Sequence, residues 1–377
     1  MFSMLTALFA KRLCSALPWK NARLVCLSYL IVAMLRHRTV NLVKLSAEAA
    51  GGLLAESLYR RFQNFFLRFV MPFDDIARLV VEKLPRPEGG WVLSMDRTNW
   101  KFGRTHINLL VIALVVGKVA VPVVWRALPR ATKRGNSKTA HRIDLMKRLL
   151  RVIPASEIRA LTMDRESERR GDRRSAGAPA GWRSHQFIGR EWLKWLDDEG
   201  VGYVVRIKRD TLVDGLAASS RPPGGLRRRS IWGLDLFFSG CSIRGRNTRE
   251  DFLHLASNRF HGKEALALYR RRWGIERVFG HFKKRGFDLA TTHLSAPAKI
   301  EMLLGVLALA FIVSYGWGCE MKAGKTGLSA TQRRKSLFRL GLDRIAQIFG
   351  NREDFRTEIE ALFGWINRPK YDSIFVV

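Results

Sequence analysis

A carboxylate, a phenol and two cations fall on one edge of the segment Tyr269 to Lys283, YRRRWGIERVFGHFK, if that segment is helical. At about 100° per residue, Tyr269, Arg272, Glu276 and Lys283 stand at roughly 0°, 300°, 340° and 320°. Leu268, Ile275, Phe279 and Phe282 stand at roughly 260°, 240°, 280° and 220°, so an apolar stripe beside the polar edge would fix that edge to a core. An acid held among fixed cations and a phenol suits a centre that binds a metal ion while gripping phosphates. The same face also suits a solvated charged surface with internal ion pairs, which is what charge runs usually are.

Two further acids stand where such a centre would need them. Asp96 closes a stretch in which Val92, Ser94 and Asp96 alternate with Trp91, Leu93 and Met95, and Asp164 directly follows a second strand-like stretch ending at Met163. Acids at strand ends can share divalent cations with an acid from a later helix, because hard cations take several oxygen ligands and still leave room for water and phosphate. Taken singly, either Asp would serve equally well as a turn or helix cap. The combination favours the shared site.

The elements that must position these groups follow from periodicity. Residues 1 to about 85 carry helical apolar runs at Leu24 to Leu35, Val40 to Ala50 and Leu58 to Val70, which predict an all-α N-terminal domain. Within it, Leu45 to Phe66 offers a helix, a Gly51-Gly52 break and a second helix bearing Tyr59, Arg60, Arg61 and Gln63, the outline of a DNA-contacting helix-turn-helix. Pro85 to Gly90 is a linker. Strands are then predicted at Trp91 to Arg97, His106 to Val116 and Val119 to Trp125, the last two joined by Gly117-Lys118. A helix from about Ser137 to Leu150, a strand at Ile158 to Met163, a helix from about Gly189 to Asp198 and a strand at Val201 to Ile207 complete an α/β pattern. Three meandering strands followed by alternating helix and strand match the ribonuclease H-like order.

Composition narrows the partners. Lys and Arg number 66 against 33 Asp and Glu, a formal charge of +33 that nucleic acid would neutralise. No segment has the sustained basic and apolar faces of an interfacial membrane helix. Met302 to Trp317 is apolar but shorter than the roughly 20 residues of a membrane span, and predicts a buried core helix. Met1 to Ala10 lacks a basic stretch ahead of it, which reads against a signal peptide. Cys14, Cys26, Cys241 and Cys319 are scattered without metal-ligand or disulfide spacing, in keeping with a reducing cytoplasm. His106, His141, His254 and His281 show no close ligand spacing either.

MDRTNWKFG around Asp96, MDRE around Asp164, and the series Tyr269, Arg272, Glu276, Lys283 together resemble the DDE transposases of the insertion-sequence-four family, whose Tyr-Arg-Glu-Lys signature the last set fits without a gap. The resemblance runs from about Ser94 to the C-terminal region and includes FIGREWLKWL at Phe187, RGFDL at Arg285 and KSLFRLGLD at Lys335. It implies a ribonuclease H-like (retroviral-integrase-like) catalytic domain over 91–377, with a β-rich insertion at about 206–258 and C-terminal helices at about 295–350. By resemblance, Asp96, Asp164 and Glu276 would be the catalytic acids on two Mg²⁺ ions, with Mn²⁺ able to substitute. Tyr269, Arg272 and Lys283 would hold phosphates of the transposon end, and Trp273 would either contact a displaced base or pack in the core. The implied activity is binding of terminal inverted repeats, cleavage of the ends and joining of the 3′-OH to target DNA, by a homodimer in a bacterial, nucleoid-associated setting. Members of this group are associated with a hairpin intermediate before strand transfer. A metal-dependent nuclease or junction resolvase of the same fold, or an inactive DNA-binding relative, would carry the same acids and charge.

The sequence departs from the family at Ser167 to Gln186, where about twenty residues rich in Arg, Gly, Ala and Ser separate Arg165-Glu166 from Phe187. So few large apolar side chains predict a flexible loop beside the second Asp.

Overall fold

Apolar residues at helical spacing open the chain and aliphatic runs follow after residue 90, and the computed structural model turns the first into helices and the second into a sheet. It describes residues 2–49, 54–103, 105–129, 137–164, 189–222, 227–242, 252–323, 328–350, 358 and 360. The first helices are α1 (Phe2–Ala16), α2 (Asn21–His37), α3 (Leu42–Ala49), α4 (Ala55–Arg68) and α5 (Phe73–Glu82). In α4, Leu58, Phe62, Phe65 and Phe66 are buried while Arg60, Arg61 and Gln63 face outward, the i, i+4, i+7, i+8 pattern of one buried face. α3 and α4 occupy the two helical halves of the expected helix-turn-helix. Its Gly51-Gly52 break lies outside the described residues, as does the Ser167 to Gln186 segment.

The central part of the chain contains β1 (Trp91–Phe102), β2 (Thr105–Val116), β3 (Val119–Ala127), α6 (Thr139–Leu150), β4 (Ile158–Met163), α7 (Arg190–Asp198) and β5 (Tyr203–Arg206). Next come the short strands β6 (Leu212–Val213) and β7 (Leu216–Ala217), then β8 (Arg228–Ile231), β9 (Leu234–Ser242) and β10 (Phe252–Ser257). The last elements are α8 (Gly262–Arg271), α9 (Trp273–Phe282), α10 (Pro297–Ala323), α11 (Ala330–Arg334) and α12 (Leu337–Gly350).

The chain divides into two units, one of Arg86–Thr98 and Asn108–Glu276, the other of Met1–Pro85, Asn99–Ile107 and Arg277–Val377. The first holds most of a mixed sheet in the order β3-β2-β1-β4-β5-β10-β9-β8. β1 pairs parallel with β4, and β4 parallel with β5. The pairs β2–β3, β5–β10, β10–β9 and β9–β8 are antiparallel. β2 is buried continuously from Ile107 to Val116, as a strand covered on both faces must be. α7 covers one region of the sheet with Trp192, whose indole N–H lies 3.2 Å from Met163 Sδ and whose ring stacks on Trp195. The segment expected as a β-rich insertion at about 206–258 supplies β6 to β10. Of these, β10, β9 and β8 continue the main sheet past β5, and β6–β7 form a separate two-stranded ribbon. Asn258 fastens this extension: its Oδ1 accepts the Tyr203 N–H (2.9 Å) while its Nδ2 donates to Asp197 Oδ1 (2.8 Å) and Val201 O (3.0 Å).

The C-terminal helices expected at about 295–350 are α10 to α12, and they group with α1–α5 rather than with the sheet. The reason is α10, which is apolar all round and buried from Ile300 through most positions to Cys319. Such a helix needs cover on every side, and α2, α5 and α12 provide it. At 27 residues α10 is long and apolar enough to cross a membrane, so the shortness expected of Met302 to Trp317 does not hold. Burial of 94% of its most apolar window is what favours a core role. α10 and α12 cross with almost no side chain between them. A Cβ on Gly318 would run into Leu337 O, and one on Gly341 into Ser314 O.

Candidate functional site

Strand register brings the two aspartates together. In the parallel β1–β4 ladder Met95 is the partner of Met163, and in β4–β5 Met163 is the partner of Val205. The next residues along the three strands are Asp96, Asp164 and Arg206, neighbours spaced by about one strand separation each, roughly 4.8 Å. Arg206 Nη1 stands 3.8 Å from Asp164 Oδ1. The third acid arrives from far along the sequence. α8 and α9 are separated at Arg272, where the ladder tightens: Arg272 N–H donates to Tyr269 O and Ile275 N–H to Arg272 O, both three-residue steps. The Ser94 hydroxyl meets the Arg272 carbonyl at 3.4 Å. Gly274 lets α9 start against β3, since a Cβ there would lie 3.1 Å from Ala120 N.

The single helix predicted for Tyr269 to Lys283 is therefore two. Tyr269, Arg272 and Glu276 remain adjacent, but Lys283 falls in a turn beyond the end of α9. It belongs to the helical unit, and its Nζ donates to Asn99 O at 2.9 Å. Burial lowers its pKa. Trp273, 56% exposed, is no core residue.

At the centre lies the Arg272 side chain, only 4% exposed. Nη1 is 3.2 Å from Asp96 Oδ2, and Nη2 is 3.2 Å from Asp164 Oδ2 and 2.6 Å from Glu276 Oε1. Three of the site's acids thus converge on one guanidinium. Burial opposes the charge on Arg272, but Asp164, Asp96 and the bond to Glu276 outweigh it and raise its pKa. Asp96 is pushed up to about 6 by burial, against the pull of Arg272 and of the Arg97 N–H that bonds its Oδ1 at 2.7 Å. Burial, with the nearby charge of Asp164, also raises the Tyr269 phenol. The Arg272 guanidinium carbon lies 5.7 Å from the Tyr269 ring centre and 5.8 Å from that of Trp273. Among the described residues the buried Arg272 Nε meets no hydrogen-bond acceptor, while the Tyr269 hydroxyl is turned toward Asp164.

Arg206 is the residue that reading the sequence missed as part of this group. Its signal was present: it follows the apolar run Tyr203–Val205 as Asp164 follows Met163.

Carboxylates are the donors Mg²⁺ takes, so the residue types suit the expected ions. Their disposition does not. The oxygens are directed at a guanidinium, and among the described residues no three His, Cys, Asp or Glu groups are placed to hold a metal ion together.

Residues 185–313 match the family model described as the transposase DDE domain. The match spans Tyr269, Arg272, Trp273, Glu276 and Lys283, and stops short of Asp96 and Asp164. No curated protein matches the sequence. Over about a third of its length, then, the chain is similar to the transposase DDE domain, which supports a DDE transposase acting on DNA.

Proposed function

We propose that the protein is a transposase that binds the terminal inverted repeats of an insertion sequence, cleaves the DNA at the element's ends and joins the freed 3′-OH ends to target DNA. The observation that carries this reading is the convergence of Asp96, Asp164 and Glu276 on Arg272, with Glu276 and Arg272 inside the transposase-like segment. In each reaction an oxygen nucleophile, water for cleavage and the 3′-OH for joining, attacks a phosphodiester, and a 3′ oxygen departs with a proton. Fixed cations suit the phosphate whose charge grows at that moment. Arg272 and Arg206 are the cations set at the acids, Trp273 offers an exposed ring on which a base can stack, and Tyr269 and Lys283 complete the proposed DNA contacts. Divalent metal ions, Mg²⁺ foremost, belong to this proposal as the cofactor that the family implies. The fold that goes with it is a ribonuclease H-like core formed by β1 to β5, extended by β8 to β10. The working form is a homodimer, because joining two ends requires two active sites held together.

The test uses the full chain and the DNA flanking its reading frame. With Mg²⁺ or Mn²⁺, the protein should nick that DNA at matched inverted repeats and join the ends to a target plasmid. Light scattering should show a dimer on end DNA. Nicking without joining would instead mark a metal nuclease or junction resolvase, and DNA binding with neither would mark an inactive relative.

A further inference from the structure

The β6–β7 ribbon of the sheet unit turns apolar side chains outward. Among the described residues of that unit, the large apolar side chains left exposed are Leu212, Leu216, Phe252 and Trp273. Two of these four belong to the ribbon's four strand residues, with Leu212 59% and Leu216 54% exposed. Solitary exposed leucines need no explanation, but these stand on a tip that the chain holds in place. Asp214 and Gly215 form its turn, both at positive φ, as a two-residue hairpin loop requires. The Asp214 carboxylate accepts the Ser230 N–H on Oδ1 at 2.7 Å and Arg229 Nη1 on Oδ2 at 3.0 Å. Arg221 donates to the carbonyls of Val213 and Asp214, each at 3.1 Å, and Val213 is wholly buried. The leucines are therefore ordered before any partner arrives.

Shape and charge decide which partner fits. Val213 pairs with Leu216 and Leu212 with Ala217. Paired residues share a face and successive residues alternate, so the two leucines lie on opposite faces. Apolar surface thus runs around the edge of a ribbon only two strands, about 4.8 Å, across. Two half-exposed leucines offer on the order of 100 Å², against about 800 Å² per partner in a stable protein interface. A thin apolar edge suits a slot instead. From Lys208 to Asp235 the sequence has six Lys and Arg against three Asp, an excess that favours a polyanion. Duplex DNA has both properties, with phosphates outside and, in the minor groove, base steps between which apolar side chains wedge.

We propose that the β6–β7 ribbon is a DNA-deforming element that sets Leu212 and Leu216 against a base step in the minor groove, while Arg209 and the basic residues around the hairpin take the flanking phosphates. This rests on the transposase reading for the presence of DNA, and goes beyond it in naming where the duplex is bent. β6 begins six residues after Arg206, so Leu212 lies within roughly 20 Å of that neighbour of Asp164. The deformed step therefore falls within about six base pairs of the phosphate at the acids.

The experiment uses the full chain and a duplex from the DNA flanking its reading frame, with 2-aminopurine replacing adenine at successive positions, in EDTA so that binding is read apart from cleavage. Binding should raise the probe's emission at one step, where the base loses its stacking. Leu212→Ala combined with Leu216→Ala should abolish that rise and weaken binding by about tenfold. Its salt dependence should not change, because no phosphate contact is lost. Arg209→Ala should keep the rise and lower the salt slope by about one unit. Melting temperatures should stay put in both variants, since the altered side chains are exposed. The proposal is overturned if the emission rises at no position, or if the double leucine variant keeps both the rise and the affinity. A smaller mass for that variant by light scattering without DNA would assign the leucines to a second copy of the chain, and overturns it too. Failure to bind duplex DNA at all would count against the transposase reading as well, whereas tight binding with every base still stacked would count against this inference alone.

Discussion

Two ionic clusters in this protein are near inversions of each other. In the helical unit, Asp343 on α12 receives Arg38 (2.7 Å), Lys335 (2.7 Å) and Arg339 (2.9 Å). In the sheet unit, Arg272 receives Asp96, Asp164 and Glu276. Three cations around one acid is what a chain with twice as many basic as acidic residues produces readily. Three acids around one cation runs against that composition. The environments differ as well: the cations on Asp343 are 31–40% exposed, whereas Arg272 is 4% exposed. Partly exposed pairs contribute little each and weaken with salt, and they serve here to tie the α2 end to α12. A buried cation holding three acids is expensive to desolvate. Its retention points to use of the acids rather than to stability.

The largest expected effect breaks the symmetry between the clusters. Asp96→Asn, Asp164→Asn and Glu276→Gln should each lower end cleavage and joining by about a thousandfold or more, as loss of a member of a concerted set does, while gel-shift assays find DNA binding nearly unchanged. Activity retained in any of the three removes that residue from the centre. Next in size is a pH effect on the cation-rich side. Burial, followed by Arg285, Arg339 and Arg277, drives the pKa of His281 from 6.5 down to about 4. The folded state therefore prefers the neutral ring, and the unfolded state binds more protons between the two values. The contribution is fully present above pH 6.5 and is lost as pH falls toward 4, on the order of 3 kcal/mol. His281→Phe, placed among Phe311 and Phe338, should flatten the fall in melting temperature over that range. An unchanged acid limb would assign it to other groups.

Smaller still, Trp273→Ala should weaken binding of cleaved ends by about 1–3 kcal/mol if the ring stacks on a base, with little change in melting temperature because the side chain is exposed. A drop in stability with unaltered binding would make it a packing residue after all. The smallest effect is Asp343→Asn. It should lower stability by roughly 1 kcal/mol, less at 0.5 M salt, and leave joining intact. Asp164→Asn should show the opposite signature, and matching melting curves for the two variants would erase the distinction drawn between the clusters.

The legible part of this architecture is local. Apolar runs, alternating with polar positions only in the first, marked β1 to β5 within a few residues, and Asp96 and Asp164 just past two of those runs are set side by side by the parallel register. Distant contacts were hidden. The break at Arg272 involves the Ser94 hydroxyl nearly 180 residues away, and no helical wheel contains it. It left Tyr269 and Glu276 with Arg272 but put Lys283 past the helix end. That Arg272 would be turned inward to the acids could not be read from its spacing, because two of those acids come from other strands. The union of β10, β9 and β8 with the main sheet depends on pairing between segments whose own sequences specify only strands. α10 was cut short for a simpler reason: Lys299 and Glu301 at its start and Glu320 and Lys322 at its end interrupt the apolar run without interrupting the helix.

The interleaving of the two units has a consequence for the order in which the protein comes into being. The sheet unit is complete once Glu276 has been synthesised, whereas the helical unit needs α10 and α12 to cover α2 and α5. Synthesis through residues 277–350 takes on the order of 4–15 s at about 5–20 residues per second. For that interval a growing chain carries an assembled acid centre and an unfinished helical body. In that interval the three acids are already held on Arg272 within the finished unit, while α2 and α5 still wait for the helices that cover them.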